Sequence, residues 1–361
     1  MKKRERKKPQ FPWFGICVAL LLAAGVLLWH IAALSAGLDA QNAAARWQGD
    51  SETAFAQVSC FVPVDEPVTQ SQIYSFRTAM LDQLHTAALD ADGSDGLWVD
   101  AWSAIGKLTV SSSRATGEAS VMAVGGDFFT IHPLRLLSGS YIREDDLMKD
   151  RVLLDEELAW LLYGGIELQG MSVYVNGVPF VIAGVIEREQ DDASRLAYTA
   201  GQGLYMSYDA YVSLTGTENI TCYELVLAEP VDGFAKGLAQ TKFPIGRGEV
   251  LQNTGRFRYG RLLSLLRTSG SRSMQAVGLS YPYWENAARV VEDRCMRLLL
   301  LAILLSLLPA VMALIWLIRL FKRGWTWLSE RLWPKVRDNA EEAVRVRQRR
   351  HWEKKHGLHE K

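Results

Sequence analysis

The sequence predicts an α+β membrane protein in which two transmembrane helices flank one large water-facing domain. Three observations carry this. Residues 13–34 and 298–318 are apolar runs free of Asp, Glu, Lys and Arg. Each is long enough, at about 1.5 Å per residue, to cross a hydrocarbon core of about 30 Å. The stretch between them is mostly polar and mixes strand-like with helix-like patterning. Charge is also segregated: the two flanks carry 19 Lys+Arg and 7 Asp+Glu, whereas residues 36–297 carry 21 and 33, so a formal net charge of zero over 361 residues hides opposed halves.

The short basic flanks fix the orientation. Lys2, Lys3, Arg4, Arg6, Lys7 and Lys8 precede the first span, and Arg319, Lys322, Arg323, Arg331 and Lys335 follow the second. Basic segments stay cytoplasmic, so residues 1–12 and 319–361 are expected inside and the central domain outside. A cleaved secretory signal is the competing reading of residues 13–34. The basic start and Leu34-Ser35-Ala36 fit it, but the run exceeds the signal-core length of about 7–15 residues, which favours an uncleaved anchor. His30 reads as interfacial rather than as a proton relay.

Within the outer block, 58–64 reads as a strand and 68–84 as a helix with Ile73, Phe76, Met80, Leu81 and Leu84 on one face. Residues 91–96 are a Gly/Asp break. Strands follow at 97–105, 107–111 and 119–124, with a hairpin tip at 112–117. A short strand at 151–154 runs into a helix at 155–162. Asn176-Gly177, flanked by β-branched residues, supplies the positive φ values of a two-residue hairpin turn between 173–175 and 178–182. A strand at 203–206, a helical turn at 209–214, a strand at 222–227, a helix at 232–241 and a strand at 248–251 complete it. Strand, helix, strand at both ends implies a discontinuous α/β part over 36–255, with a β-rich insertion at about 110–221. Residues 256–297 are helix-compatible, interrupted at Gly270 and Pro282, and read equally as a stalk or as an ordinary packing helix.

The order Gly125-Gly126-Asp127-Phe128-Phe129, Leu136-Leu137-Ser138-Gly139-Ser140-Tyr141, Asp145-Asp146, 151–159, Leu162-Tyr163-Gly164 and 173–186 resembles the extracytoplasmic core domain of MacB-type and FtsX-type ABC transporter permeases. That resemblance implies a porter-like α/β part with a β-rich insertion. It also implies a mechanotransmission role in which a cytoplasmic ABC ATPase in trans drives the outer domain. Family permeases carry two further spans, and no apolar run follows residue 318. The expectation is therefore a half-unit needing a partner permease subunit or a homodimer, an accessory protein, or a truncated permease.

The sequence argues against several chemistries. Gly106-Lys107 continues with Leu108 and has Ala101 where a phosphate-binding loop needs its first glycine. No His-Glu-x-x-His and no Gly-x-Ser-x-Gly occurs. Asp90, Asp92 and Asp95 lack calcium-loop spacing, with Ala101 at the position of the bidentate Glu. Glu144, Asp145 and Asp146 read as a loop or helix start, and Asn219-Ile220-Thr221 is only a formal glycosylation sequon. No catalytic, cofactor-binding or metal-binding residue is expected. Of the four cysteines, Cys60 and Cys222 fall in the outer block, where a disulfide and two buried free thiols are equally compatible with the sequence.

Beyond the second span, Trp325, Trp327, Leu328, Arg331, Leu332 and Trp333 sit among basic residues. Interfacial anchoring is the first reading, and docking of the ATPase, which the resemblance implies, the second. Asp338 and Glu341 resemble a capping box opening a basic helix to about residue 355, for which anionic lipid is the expected contact and nucleic acid is not. The leading expectation is a permease-like, non-catalytic subunit of an ABC-type system in a bacterial plasma membrane. The alternative is a membrane-anchored extracytoplasmic binding or scaffold protein without ATP coupling, and an envelope hydrolase ranks last.

Overall fold

A computed structural model describes residues 13–86, 96–198, 203–268, 279–331 and 333–355. The chain divides into two units, His30–Leu299 and the remainder.

The first unit is organised on a ten-stranded sheet. Helix α1 (Trp13–Ala36) leads through a 3-10 turn at Asp39–Gln41 into α2 (Ala43–Gln48), β1 (Phe55–Phe61) and α3 (Gln70–Thr86). Then come β2 (Trp98–Ser111), β3 (Thr116–Gly126), α4 (Phe128–Ile131), β4 (Leu136–Gly139), β5 (Arg151–Asp155) and α5 (Glu156–Tyr163). After these lie β6 (Ser172–Val175), β7 (Val178–Ile186), α6 (Asp192–Ala197), β8 (Gly203–Ser207), α7 (Tyr208–Thr215), β9 (Cys222–Ala228), α8 (Phe234–Lys242) and β10 (Glu249–Gln252). Two long helices close the chain after the short α9 (Tyr259–Ser264): α10 (Tyr283–Arg331) and α11 (Trp333–Lys355).

Strands run in the order β10-β1-β9-β2-β3-β8-β5-β7-β4, and β6 bridges β7 and β2. The pairings therefore close a ring, β2-β3-β8-β5-β7-β6 and back to β2. Long β2 belongs to both halves. Its first part pairs with β9 over Trp98–Ser103, and Val110–Ser111 pairs with β6. The inserted strands are thus continuous with the sheet built from the two ends of the block.

In the β1–β9 region both sheet faces are covered, and β1 and β9 are buried along their whole length, as expected of strands with helices on both sides. On one face Ile73, Phe76, Met80 and Leu84 of α3 and Ala235, Leu238 and Ala239 of α8 join the core. On the other lie Ala43 and Ala44 of α2, Phe128 and Ile131 of α4, and Trp284 of α10.

Several sequence expectations change. The strands expected at 97–105 and 107–111 are one strand. Gly106 does not break it, because a Cβ there would fall 2.3 Å from the Tyr211 hydroxyl, so the glycine admits a close side chain. The short helices α2, α4 and α6 and strand β4 escaped the pattern reading because each is too short to show a period. The helix-compatible 256–295 stretch is not one helix: it holds α9 and a 3-10 turn at Leu265–Arg267, and α10 starts directly after Pro282. The apolar run 298–318 and the Trp-rich segment to Arg331 belong to the same 49-residue helix, with Pro309 inside it. Helix α11 opens at Trp333, so Asp338 sits within the helix rather than capping it; Glu341 lies 3.6 Å from Arg345 as expected. The calcium-like Asp90, Asp92 and Asp95 and the Gly270 break lie outside the described residues, as does the basic stretch 1–12.

The hairpin at Asn176-Gly177 forms with φ values of 49° and 81°. The Cys60–Cys222 disulfide does not form: both are buried free thiols. Cys222 is in register with Phe61, and Cys60 with Tyr223. The two sulfurs therefore project from opposite faces of the sheet, into different cores.

Candidate functional site: a buried ion network at the root of the long helix

Helix α10 begins with charges where an apolar face would be expected. Glu285, Arg289 and Glu292 stand at i, i+4 and i+7, on one side of the helix, among buried Ala288, Val291 and Cys295. They meet Arg256, which arrives on the turn after β10; Gly255 turns the chain with φ 70°, and the Arg256 amide donates to the Asn253 carbonyl at 3.0 Å. The guanidinium makes five hydrogen bonds. Nε and Nη2 donate to Glu292 (2.6 and 3.1 Å), Nη1 and Nη2 to Glu285 (2.6 and 2.8 Å), and Nη1 to Gln41 Oε1 (3.2 Å). Arg289 donates to Glu285 Oε1 at 2.6 Å and to Glu249 of β10 at 3.0 Å, and lies 3.9 Å from the centre of the Tyr281 ring.

Arg256 is 6% exposed and Glu285 fully buried. Burial alone would raise the Glu285 carboxyl, but the charges and hydrogen bonds of Arg256 and Arg289 outweigh it and hold the group below its usual range. Burial, with its hydrogen bond to Glu249 at 2.6 Å, pushes the Tyr281 hydroxyl up to about 12. A planar guanidinium matched to two carboxylates ties the start of α10 to the turn after β10.

A second polar chain runs behind it. Asn253 Nδ2 donates to Ser59 Oγ (2.8 Å), Ser59 Oγ donates to Glu224 Oε1 (2.9 Å), and His132 Nε2 is bonded to the other Glu224 oxygen. The His132 ring packs 4.2 Å from Trp284 of α10. All four polar residues are buried. Ser, His and Glu meet here, but the carboxylate sits between the other two, so the histidine is not placed to take the serine's proton. The arrangement tethers strands and helix rather than building a nucleophile.

Beside the network lies a groove of 590 Å³ walled by the end of α1, by α2, Phe55 and residues 253–259. Gly126 and Gly139 answer to backbone crowding, whereas Gly125 lies against the Trp102 indole. Gly139 (φ 82°) would place a Cβ 2.1 Å from the Ala183 carbonyl oxygen, and Gly126 (φ 65°) one 2.5 Å from that of Asp100. Asp100, which β2 carries, is buried and takes a two-pronged bond from Arg77 (2.8 and 2.6 Å) and one from Tyr223 (2.8 Å). Among the described residues no group of three or more His, Cys, Asp and Glu is arranged to hold a metal ion.

The residues singled out from the sequence lie elsewhere. Trp325, Trp327 and Leu328 are exposed near the end of α10, Arg331 closes that helix, and Trp333 opens α11. Phe321 stacks on Trp325, and with Leu328 they follow i, i+4, i+7, whereas Trp327 is about 200° around the helix from Trp325. Sequence reading missed Arg256, Glu285, Arg289 and Glu292. Their signal was present: three charges at helical spacing within an apolar stripe are where a buried partner must be sought.

A mixed sheet with an inserted ring of strands, flanked by two helices long and apolar enough to cross a membrane, defines the class. The profile of the MacB-like periplasmic core domain matches residues 31–235, more than half of the chain, and the chain belongs to that family. It is the core domain of MacB/FtsX-type ABC transporter permeases. Among solved structures, the chain is similar to the periplasmic region of MacB from Actinobacillus actinomycetemcomitans (13% identity, 60% of this chain and 94% of that one, TM-score 0.41). It is also similar to the extracellular domain of the noncanonic ABC-type transporter YknZ from Gram-positive bacteria (16%, 52% and 92%, TM-score 0.37). A third likeness is to a domain of a putative permease from Porphyromonas gingivalis (13%, 55% and 88%, TM-score 0.32). No curated protein matches the chain.

Proposed function

We propose that this chain is a permease-like, non-catalytic subunit of an ABC-type system that couples a cytoplasmic ATPase in trans to its extracytoplasmic domain. The family match supports the transporter class. One observation carries the coupling: α10 is a single helix from the Arg256 network at Tyr283–Glu292, through the apolar run, to the Trp-rich segment at Arg331. A displacement imposed at one end of this helix reaches the other without an intervening loop to absorb it, although Pro309 removes one backbone hydrogen bond within the apolar run. In this reading α1 and α10 cross the membrane, both termini are cytoplasmic, and the 36–255 domain is porter-like and extracytoplasmic. Trp325, Trp327, Leu328, Arg331 and Trp333 meet the ATPase, a second permease subunit or a second copy completes the unit, and the basic α11 rests on anionic lipid.

The test is purification of the tagged full chain from its native membrane in mild detergent. A P-loop ATPase should co-purify and should be lost from a Trp325→Ala/Trp327→Ala variant of unchanged helicity. Recovery of the chain with no ATPase refutes the coupling and favours the anchored scaffold.

A further inference from the structure

The first turn of α10 holds more than the Arg256 network. Consecutive helical residues point about 100° apart, so Tyr283 and Glu285 leave the helix about 200° apart, on nearly opposite sides. Glu285 goes to Arg256 on the turn after β10, at the α/β end of the domain. Tyr283 goes to the connection between β7 and β8, which belongs to the β-rich insertion. Its ring stacks on that of Tyr198, with centroids 4.2 Å apart and planes inclined at 21°. Its hydroxyl donates to Glu189 Oε1 at 2.9 Å, and the Tyr198 hydroxyl is bonded to the other oxygen of the same carboxylate. Between Glu189 and Tyr198, Asp191 caps α6 by accepting from the Ala193 and Ser194 amides (2.9 and 3.0 Å), so the segment that meets α10 is itself folded.

The contact does not end in that connection. Arg188 lies 5.0 Å over the Tyr198 ring and pairs with buried Asp155 at 2.5 Å. Asp155 caps α5 through the Leu158 amide (2.7 Å) and accepts from the Gly203 amide at the start of β8 (2.6 Å). Tyr283 is thereby tied, through Tyr198, Arg188 and Asp155, to β5, α5 and β8. The sheet gives those strands a longer route to the α/β end. Among the described ring strands β2 alone pairs with β9, over Trp98–Ser103, and its link to β6 spans two residue pairs.

We infer that the Tyr198–Tyr283 stack, bridged by Glu189, is the joint by which α10 positions the β-rich insertion against the α/β part, with the Arg256 network as the opposite grip. One helical turn then carries a tilt or rotation of α10 to both parts through contiguous packed side chains. This deepens the coupling reading by naming where the movement divides, and rests on that reading only for the source of the movement.

The test reads geometry rather than stability. The full chain in lipid nanodiscs, with Cys17 replaced by Ser and the three buried cysteines left in place, carries spin labels at Val231→Cys in the α/β part and Met171→Cys in the insertion, both exposed positions. The distance distribution between them, from pulsed electron paramagnetic resonance, should broaden about twofold in Tyr198→Leu, which loses the stack, while Tyr198→Phe keeps the ring and should recover at least about half of the change. A second pair on the ring of strands and α5, Lys107→Cys with Trp160→Cys, both exposed, should keep its width in every variant. An unchanged Val231–Met171 distribution in Tyr198→Leu overturns the inference, because a ring that only packs would lower the unfolding midpoint without moving the insertion. Equal broadening of the Lys107–Trp160 pair overturns it too, since the insertion has then lost its own fold. So does equal broadening by Tyr259→Leu, an exposed ring on α9 outside the joint. Every reading is made on the purified chain, so failure of the joint and failure of an ATPase to co-purify are separate results.

Discussion

Replacing Arg256 by Met removes five hydrogen bonds from the root of α10 and takes away one positive charge that buried Glu285 and Glu292 share. Methionine keeps much of the side-chain volume, so the effect is electrostatic rather than a cavity. Arg289 still bonds Glu285, which limits the damage on that side. Because Arg256 and both carboxylates are almost fully buried, solvent does not screen the loss. Breaking such a pair from one side costs about 3–5 kcal/mol, most of it from the uncompensated charge. Urea unfolding of the full chain in detergent micelles, followed by tryptophan fluorescence, should show this as a lower midpoint at unchanged slope. Combining Arg256→Met with Glu285→Gln should cost less than the sum of the two single changes, since the two residues share one buried ion pair. Arg247, which pairs with Asp65 and Glu66 in open solvent, is the control, and its replacement should leave the midpoint in place. A loss for Arg256→Met below about 1 kcal/mol, the size of an exposed pair, would refute the view that this network holds the helix.

Acid should expose the same network. Glu285 is held below its usual range, so its contribution is complete above the unfolded carboxylate value of about 4.3 and is lost as pH falls through the lower folded value. Asp155, Asp127 and Glu144 are raised, chiefly by burial, and so add stability as pH falls towards the unfolded carboxylate range. Denaturation against pH should show a shallow mildly acidic maximum and a steeper fall below about pH 4, and Glu285→Gln should flatten that fall. Burial, with the Glu224 carboxylate, pushes the Cys60 and Cys222 thiols up. Neither should react with maleimide in the folded protein, both should react in denaturant, and mild oxidation should give no bond between them; a native-state crosslink would contradict the strand register. Gly139→Ala forces a Cβ to within 2.1 Å of the Ala183 carbonyl at a positive φ and should cost more than the roughly 1–2 kcal/mol of left-handed strain alone, read as a lowered thermal midpoint.

Much of the fold was legible because local chemistry leaves local marks. The Asn176-Gly177 turn, the apolar face of α3 and the two apolar runs each announce themselves within a few residues, since turn dihedrals, helical period and bilayer thickness act over that range. The ordered runs from Gly125 to Ile186 pointed to the family that the profile match establishes. Charge segregation, likewise, is a property of the sequence itself. The site was another matter. Arg256 lies 29 residues from Glu285 and 36 from Glu292, and Glu224 is 92 residues from His132, so nothing in any short window links them. The opposite orientation of Cys60 and Cys222 depends on a one-residue register between β1 and β9, a quantity that pairing across the sheet decides and spacing along the chain does not. The sequence by itself determined which segments are greasy, which turn and which carry charge. Only the tertiary structure decided that the charges at the start of α10 are buried against Arg256, because burial of a charge is tolerable only where distant segments bring its partners to it.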